Sequence, residues 1–315
     1  MTAQARLGFP AFPLLAAFLA CGASSEPPLS QPASAKEVHL FDYDAREPPG
    51  IRVLSTTKDD ALTVQEIEYA SPRGGRVPAT LVVPDGPGPF AGVLLLHGLP
   101  GNRQQLLPGA EELARRGAVT LSIDAPFSRP GRLGGAPFHL DERDREDQIQ
   151  LIVDLRRGLD LLVSRPDVDP KRLGYAGGSY GGTMGGLLAG VERRIKAYAL
   201  YFGDGGMVSH FTGPGVKDRP LDRLPKEQAK RWLAAMRPIE PIRFVGRAAP
   251  ARLLFQNGLR DKKVSPENAR AFQKAGSEPK TLFWYDSGHQ LPIEGVCDLY
   301  GWIAEQLGLR SLRSG

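Results

Sequence analysis

Apolar positions change their period several times along the chain, and each change marks an element. Thr63-Val-Gln-Glu-Ile-Glu-Tyr69 alternates apolar and polar with period two, the pattern of a half-exposed strand. Ser71-Pro-Arg-Gly-Gly75 supplies turn chemistry before a return strand over Val77–Val83. Asp85-Gly-Pro-Gly-Pro89 turns the chain again. Gly92-Val-Leu-Leu-Leu96 is then a continuous apolar run, as a strand buried on both faces requires. Helical spacing over Gln104–Arg116 places Leu106, Leu107, Leu113 and Ala114 on one side, and Ala118–Ile123 reads as a strand. A Pro/Gly-rich excursion, Ala125–Pro137, precedes a long amphipathic helix from about Asp144 to Val163, which Pro166–Pro170 closes.

The next stretch organises the rest. An apolar run ending at Ala176 passes through Gly177-Gly178-Ser179-Tyr180-Gly181 and continues as small and apolar residues to Ala189. That is strand, tight turn and helix with a G-x-S-x-G core at the turn. Strands follow at Ala197–Tyr201, Arg252–Gln256 and Thr281–Tyr285, with helices at Pro266–Ala275 and from about Ile293 to Leu307. Residues 203–247 break the alternation, carry a helix near Lys226–Met236, and read as a lid-type insertion. Such β-α order predicts a mostly parallel sheet covered by helices on both faces, with antiparallel strands at one edge.

The 315 residues suffice for one large α/β domain. Hydrophobic content of 41% and charged content of 24% are ordinary for a chain with a real core. The net charge of +5 is read as solvated surface, because no Lys/Arg run is interleaved with aromatics; a nucleic-acid partner is not expected. No repeat of solenoid or propeller period is visible.

At the N-terminus, Leu7–Ala20 is almost wholly apolar and too short to span a bilayer, so residues 1–21 are expected to be a signal peptide. Phe18-Leu-Ala-Cys21-Gly22 resembles a bacterial lipobox, which implies lipidation of Cys21, membrane anchoring and a periplasmic or cell-surface location. Phe18 departs from the usual aliphatic residue, and plain secretion or an uncleaved start stays open. The region 22–60 is expected to be a tether, Ser/Pro/Ala-rich to Lys36, and then an irregular lead-in. Only Cys21 and Cys297 exist, so disulfides are not expected to hold the fold, and neither cysteine has the company of a metal site.

In parallel α/β sheets, ligands bind outside the carboxyl ends of the strands. His97-Gly98-Leu99-Pro100-Gly101, Asp124, Ser179, Asp204, Asp261 and Ser287-Gly288-His289 fall at those ends. A neutral serine needs a base. Of five histidines, His289 follows the last strand on a loop able to reach Ser179; the bland alternative is a surface histidine at the last helix. His39 lies in the lead-in, His139 in the excursion and His210 in the insertion. The imidazole needs an acid to hold its tautomer. Asp261 is the first candidate, Asp204 the rival, and Asp286 sits too close to turn back onto the ring. The backbone N–H groups of Tyr180 and Leu99 are the expected oxyanion donors, with His97 fixing their loop and Gly98 and Gly101 letting it turn. Gly177 and Gly181 keep the elbow small, and Gly182 gives the helix start extra room.

His97-Gly98, Gly177-Gly-Ser-Tyr-Gly181, Asp261 and His289 occur in the order and spacing of the α/β-hydrolase superfamily, over roughly Ala61 to Leu309. Ser164–Leu173 resembles dienelactone-hydrolase-like esterases and prolyl-oligopeptidase-type catalytic domains, and the elbow is similar to the peptidase form. Asp124-Ala-Pro-Phe127 is similar to the loop that borders the pocket in acetyl-esterase-like members. Two departures matter. Dienelactone hydrolases carry cysteine where this chain has Ser179, and nothing before Thr63 is long enough for the propeller of the oligopeptidases. The resemblance implies an α/β-hydrolase fold over residues 61–309, with an eight-stranded sheet and a lid at 203–247. It implies a serine esterase that forms an acyl-enzyme from a small-molecule carboxylic ester, with no metal or organic cofactor. A peptidase or amidase, a thioesterase and a non-catalytic scaffold are the alternatives. Phe202, Met207, Phe211 and Trp232 are candidates for an acyl pocket, Arg129 and Arg132 for an anionic substrate group, and Asp204, Glu240 or Arg243 for a peptide terminus.

Overall fold

A computed structural model describes residues 28–59, 61–131, 137–216 and 219–311. The strands are β1 (Arg52–Lys58), β2 (Leu62–Ala70), β3 (Arg76–Pro84), β4 (Phe90–Leu96), β5 (Ala118–Ile123), β6 (Val168–Gly178), β7 (Ala197–Tyr201), β8 (Arg252–Gly258) and β9 (Lys280–Tyr285). The helices are α1 (Ala35–Val38), α2 (Leu107–Arg115), α3 (Arg143–Val163), α4 (Tyr180–Val191), α5 (Met207–Thr212), α6 (Lys226–Met236), α7 (Pro266–Ala275) and α8 (Ile293–Leu307). One sheet runs in the order β1-β2-β3-β5-β4-β6-β7-β8-β9. β1 to β3 pair antiparallel and β3 joins β5 antiparallel; every pair from β5 to β9 is parallel.

The period-two rule divides the central strands between two cores. Leu94 and Leu96 of β4 join Tyr175 of β6 and Phe255 of β8 on the face covered by α3 and α4. Val93 and Leu95 join Ala176 and Leu254 on the face covered by α2 and α8. Every residue of α4 is buried. Its glycines allow this: a Cβ at Gly186 would lie 2.3 Å from the Phe272 ring, and one at Gly190 2.6 Å from Phe244.

Three expectations need correction. The sheet has nine strands and not eight, because Arg52–Lys58, read as irregular lead-in, pairs with β2. All seven residues of β1 are exposed, so no burial alternation marks it; backbone pairing alone recruits it to the edge. The tether (22–36) and the lead-in after it both pack onto the fold where residues are described. Ala33 and Phe41 are core residues, Phe41 meets the Phe244 ring edge-on at 5.7 Å, and the buried Arg243 binds Glu37 and the Gln31 carbonyl. Finally, the 203–247 segment is only partly cavity wall. Trp232, Met236, Ile239, Phe244 and Val245 are fully buried, so its second half is core beside α4. The signal-peptide region and Cys21 lie outside the described residues.

Candidate active site

Parallel pairing brings the carboxyl ends of β4 to β9 to one edge of the sheet, and the elbow stands at its centre. Leu96 of β4 is level with Gly177 of β6, and Gly178 with Tyr201 of β7. Ser179 adopts φ 55° and ψ −118°, a left-handed conformation that costs on the order of 1–3 kcal/mol in a residue with a side chain. Its N–H donates to the Tyr201 carbonyl at 2.8 Å, which holds the strained turn in place. The turn leaves no room at its flanks: a Cβ on Gly177 would lie 2.6 Å from the Gly181 carbonyl, and one on Gly181 2.1 Å from the Leu96 oxygen.

Ser179 Oγ lies 2.9 Å from Nε2 of His289, and Nδ1 of His289 lies 2.7 Å from Oδ2 of Asp261. The Asp261 side chain is 1% exposed. Burial raises its carboxyl, but hydrogen bonds from His289 and from the N–H groups of Val264 and Lys263 outweigh this and hold it below the usual carboxylate range. A carboxylate bonded to Nδ1 fixes the proton there and leaves Nε2 free to accept from the serine hydroxyl. The arrangement can therefore move a proton from Ser179 onto His289 and stabilise the charge that results. Phe202 packs 5.1 Å from the His289 ring.

Tyr180 and Leu99 both line the cavity beside Ser179. The loop that carries Leu99 is tied to the loop after β5. Nε2 of His97 accepts from the Ala125 N–H, so its Nδ1 donates to the Gly98 carbonyl, and burial lowers the imidazole's pKa and keeps it neutral. Arg103 donates from its backbone and Nη1 to Asp124 and from Nε and Nη2 to Glu66. Ser128 Oγ donates to the Gly101 carbonyl at 2.5 Å. Gly98 packs against the elbow, where a Cβ would lie 3.2 Å from that of Ser179. Phe127 meets both the His97 and Tyr180 rings edge-on at 5.5 Å.

The cavity over Ser179 holds about 780 Å³, within the usual range for small-ligand sites. Met207 and Phe211 line it, together with Phe138 and Leu140 from the excursion. Trp232 does not; it is buried and donates Nε1–H to Asp144. Arg129 is bound to Asp154 at 2.5 Å and to the Asp124 carbonyl, so it serves the fold and does not face a substrate; Arg132 lies outside the described residues. Glu240 is buried beneath α5, accepting from Val208 and Ser209, and Arg243 is spent on Glu37. His289 takes Asp261 and not Asp204 as its carboxylate partner; Asp204 is paired with His210, Oδ2 to Nδ1 at 2.7 Å, and both line the cavity.

Sequence reasoning gave His210 no role. Its signal was Asp204-Gly-Gly-Met-Val-Ser-His210, in which two glycines let the chain turn before a short helix returns the imidazole. Arg103 was missed because its partners, Glu66 and Asp124, are far away in sequence.

A sheet of this order with a strained serine at its central elbow defines an α/β-hydrolase. A model of the prolyl oligopeptidase family matches residues 113–310, and the chain belongs to that family. Among curated proteins, acyl-coenzyme A thioesterase 1 of Rattus norvegicus is 28% identical over 173 residues, 53% of this chain and 36% of that protein. The uncharacterized peptidase YuxL of Bacillus subtilis is 28% identical over 152 residues, 45% of this chain and 22% of that one. The chain thus spans well under half the length of these relatives. Among solved structures, an acetyl xylan esterase from Paenibacillus sp. R4 superposes with a TM-score of 0.68 at 23% identity, covering 90% of this chain and 98% of its own. Acetyl xylan esterase 1 from Thermoanaerobacterium sp. JW/SL YS485 gives 0.69 at 18%, with the same coverage. These likenesses concern the fold.

Proposed function

We propose that the protein hydrolyses carboxylic esters through an acyl-enzyme on Ser179. His289 takes the hydroxyl proton as Oγ attacks the acyl carbon, and Asp261 holds the imidazole's tautomer and balances its charge. The N–H groups of Tyr180 and Leu99 receive the oxyanion, and each such donor is worth roughly 3–4 kcal/mol in the transition state. His289 then protonates the leaving alcohol and deprotonates the water that releases the acid. The observation that carries this reading is the Ser179–His289–Asp261 hydrogen-bond chain at the strained elbow.

The esterase reading is preferred to peptide cleavage because the three residues expected to hold a peptide terminus are engaged elsewhere. Asp204 is bound to His210, Glu240 is buried under α5 and Arg243 is bound to Glu37. Thioester cleavage is the second reading, favoured by the likeness to acyl-coenzyme A thioesterases, and needs the same residues.

The full chain, assayed on p-nitrophenyl esters from acetate to laurate beside Ser179→Ala, tests the proposal. Loss of the nucleophile is expected to cost on the order of a million-fold in kcat. Equal rates for the two proteins would overturn it. Export with a lipid on Cys21 is proposed on the sequence pattern alone. Mass spectrometry finding an unmodified Cys21 in a fully soluble form would reject it.

A further inference from the structure

His210 lies outside the proposed reaction yet stands in the wall of the same cavity, and its setting is built in detail. Nδ1 is fixed by Asp204 Oδ2 at 2.7 Å. Asp204 is fully buried and is itself held by Thr183, whose Oγ1 donates to Oδ1 at 3.2 Å and accepts the Asp204 N–H at 3.0 Å. Thr183 lies one helical turn after Ser179, so the pair is anchored to the helix that carries the nucleophile. The His210 side chain is 32% exposed, in a cavity whose other near walls, Met207, Phe211 and Phe138, are apolar.

With Nδ1 committed, only Nε2 remains to meet a ligand. Burial lowers the imidazole's pKa, but the hydrogen bond and charge of Asp204 and the charges of Asp261 and, once it ionises, Glu240 outweigh it, and the net shift is upward. These carboxyls come from the loop after β7, the turns after α6 and the loop after β8. Lys262 and Lys263, exposed at the cavity rim, add positive charge to the same space. Asp204 is balanced by the His210 imidazolium, while Asp261 beside His289 and the exposed Glu267 on the same cavity wall keep negative charges that Lys262 and Lys263 offset. His289 does not line the cavity, whereas Ser179, Tyr180 and Leu99 do. The space adjoins the two expected oxyanion donors, and the acyl half of the substrate is assigned to it on that ground.

We propose that His210, oriented by Asp204, donates Nε2–H to an anionic group on the acyl half of the substrate, so that the preferred esters are monoesters of dicarboxylic acids. This rests on the esterase reading and adds a substrate class to it. The acyl chain lies along Met207, Phe211 and Phe138, and its far carboxylate meets the imidazolium. The apolar stretch and the terminal charge are then recognised by separate walls of one cavity.

The test uses length-matched pairs of p-nitrophenyl esters, glutarate against valerate, adipate against hexanoate and suberate against octanoate, with the wild type, His210→Gln and Asp204→Asn. The wild type is expected to favour the carboxylate-bearing ester in at least one pair. Both variants should reduce that preference in kcat/KM about tenfold or more, the factor a charge-assisted hydrogen bond is worth. Because each preference is a ratio within one protein, a variant's folded fraction cancels. Above the substrate carboxyl's own range of roughly pH 4–5, the preference should be complete up to the raised pKa of His210 and fall as pH rises through it, and in His210→Gln it should be flat over the same window. A wild type that favours the neutral ester in every pair, or a preference unmoved by His210→Gln, would overturn the inference and leave the esterase intact. Rates equal to those of Ser179→Ala on every ester would overturn the esterase reading and this one with it.

Discussion

Arg103 grips the buried carboxylate of Asp124 with its backbone N–H at 2.8 Å and Nη1 at 2.5 Å, joining the loop after β4 to the loop after β5. The same guanidinium binds Glu66 on β2. Leu99 lies within the loop so restrained, and the proposed mechanism needs its N–H to point at an oxyanion that exists only in the transition state. Arg103→Gln is therefore expected to lower kcat at least tenfold with a much smaller change in KM, measured on a short ester. An equal loss in both would show that the residue serves binding and not the oxyanion loop.

Two glycines give opposite results on substitution. Gly181→Ala would drive a Cβ to 2.1 Å from the Leu96 carbonyl, a backbone atom that cannot step aside, so activity should vanish and Tm fall. Gly301 is exposed on α8, with nothing within 4 Å of a Cβ added there. Gly301→Ala should raise stability by about 1 kcal/mol, the difference in helix propensity, with activity unchanged. Thermal melts of the two variants check both outcomes.

Asp261→Asn keeps the shape of the acid but presents an amide to Nδ1, which favours the wrong tautomer of His289. A fall in kcat on the order of ten-thousand-fold is expected, with Tm little changed. A loss of tenfold or less would mean that another carboxylate orients the imidazole.

Burial and the neighbouring Asp204 push the Glu240 carboxyl up to about 8, against the partial relief of N–H donors from Val208 and Ser209. The folded protein then binds a proton that the unfolded chain has released above its ordinary carboxyl pKa. Stability is expected to fall as pH rises through this window, by about 2–3 kcal/mol between pH 6 and 8. Glu240→Gln removes the titration, so its Tm should exceed that of the wild type at pH 9 by more than at pH 6. A difference in Tm independent of pH would refute the assignment.

Phe41 is fully buried against Phe244, although it belongs to the segment before the sheet. Phe41→Ala should cost about 3–5 kcal/mol, as for an aromatic lost from a core. Urea denaturation checks this, and a cost under 1 kcal/mol would return the segment to the status of an irregular lead-in.

The central strands and the elbow were legible because the signals that specify them are local. An apolar run marks a strand buried on both faces, and Gly177-Gly-Ser-Tyr-Gly181 marks a backbone that must turn where two chain segments nearly touch. Chain order then places Ser179, Asp261 and His289 at one sheet edge, where they form the hydrogen-bonded chain. β1 escaped notice because a strand exposed along its whole length has no burial period, and the role of Phe41 escaped because a single aromatic in polar sequence does not reveal its partner.

The sequence by itself determined the alternation of strands and helices, the tight turn at Ser179 and the places of Asp261 and His289 after later strands, since periodicity and backbone sterics act between near neighbours. Tertiary structure decided which charges are spent and which face the cavity. Asp204 became the partner of His210, Glu240 and Arg129 went to the fold, and Arg103 came to brace the Leu99 loop. Those outcomes depend on which distant groups share a buried space, where an unpaired charge is too costly to leave, and no local pattern records such pairings.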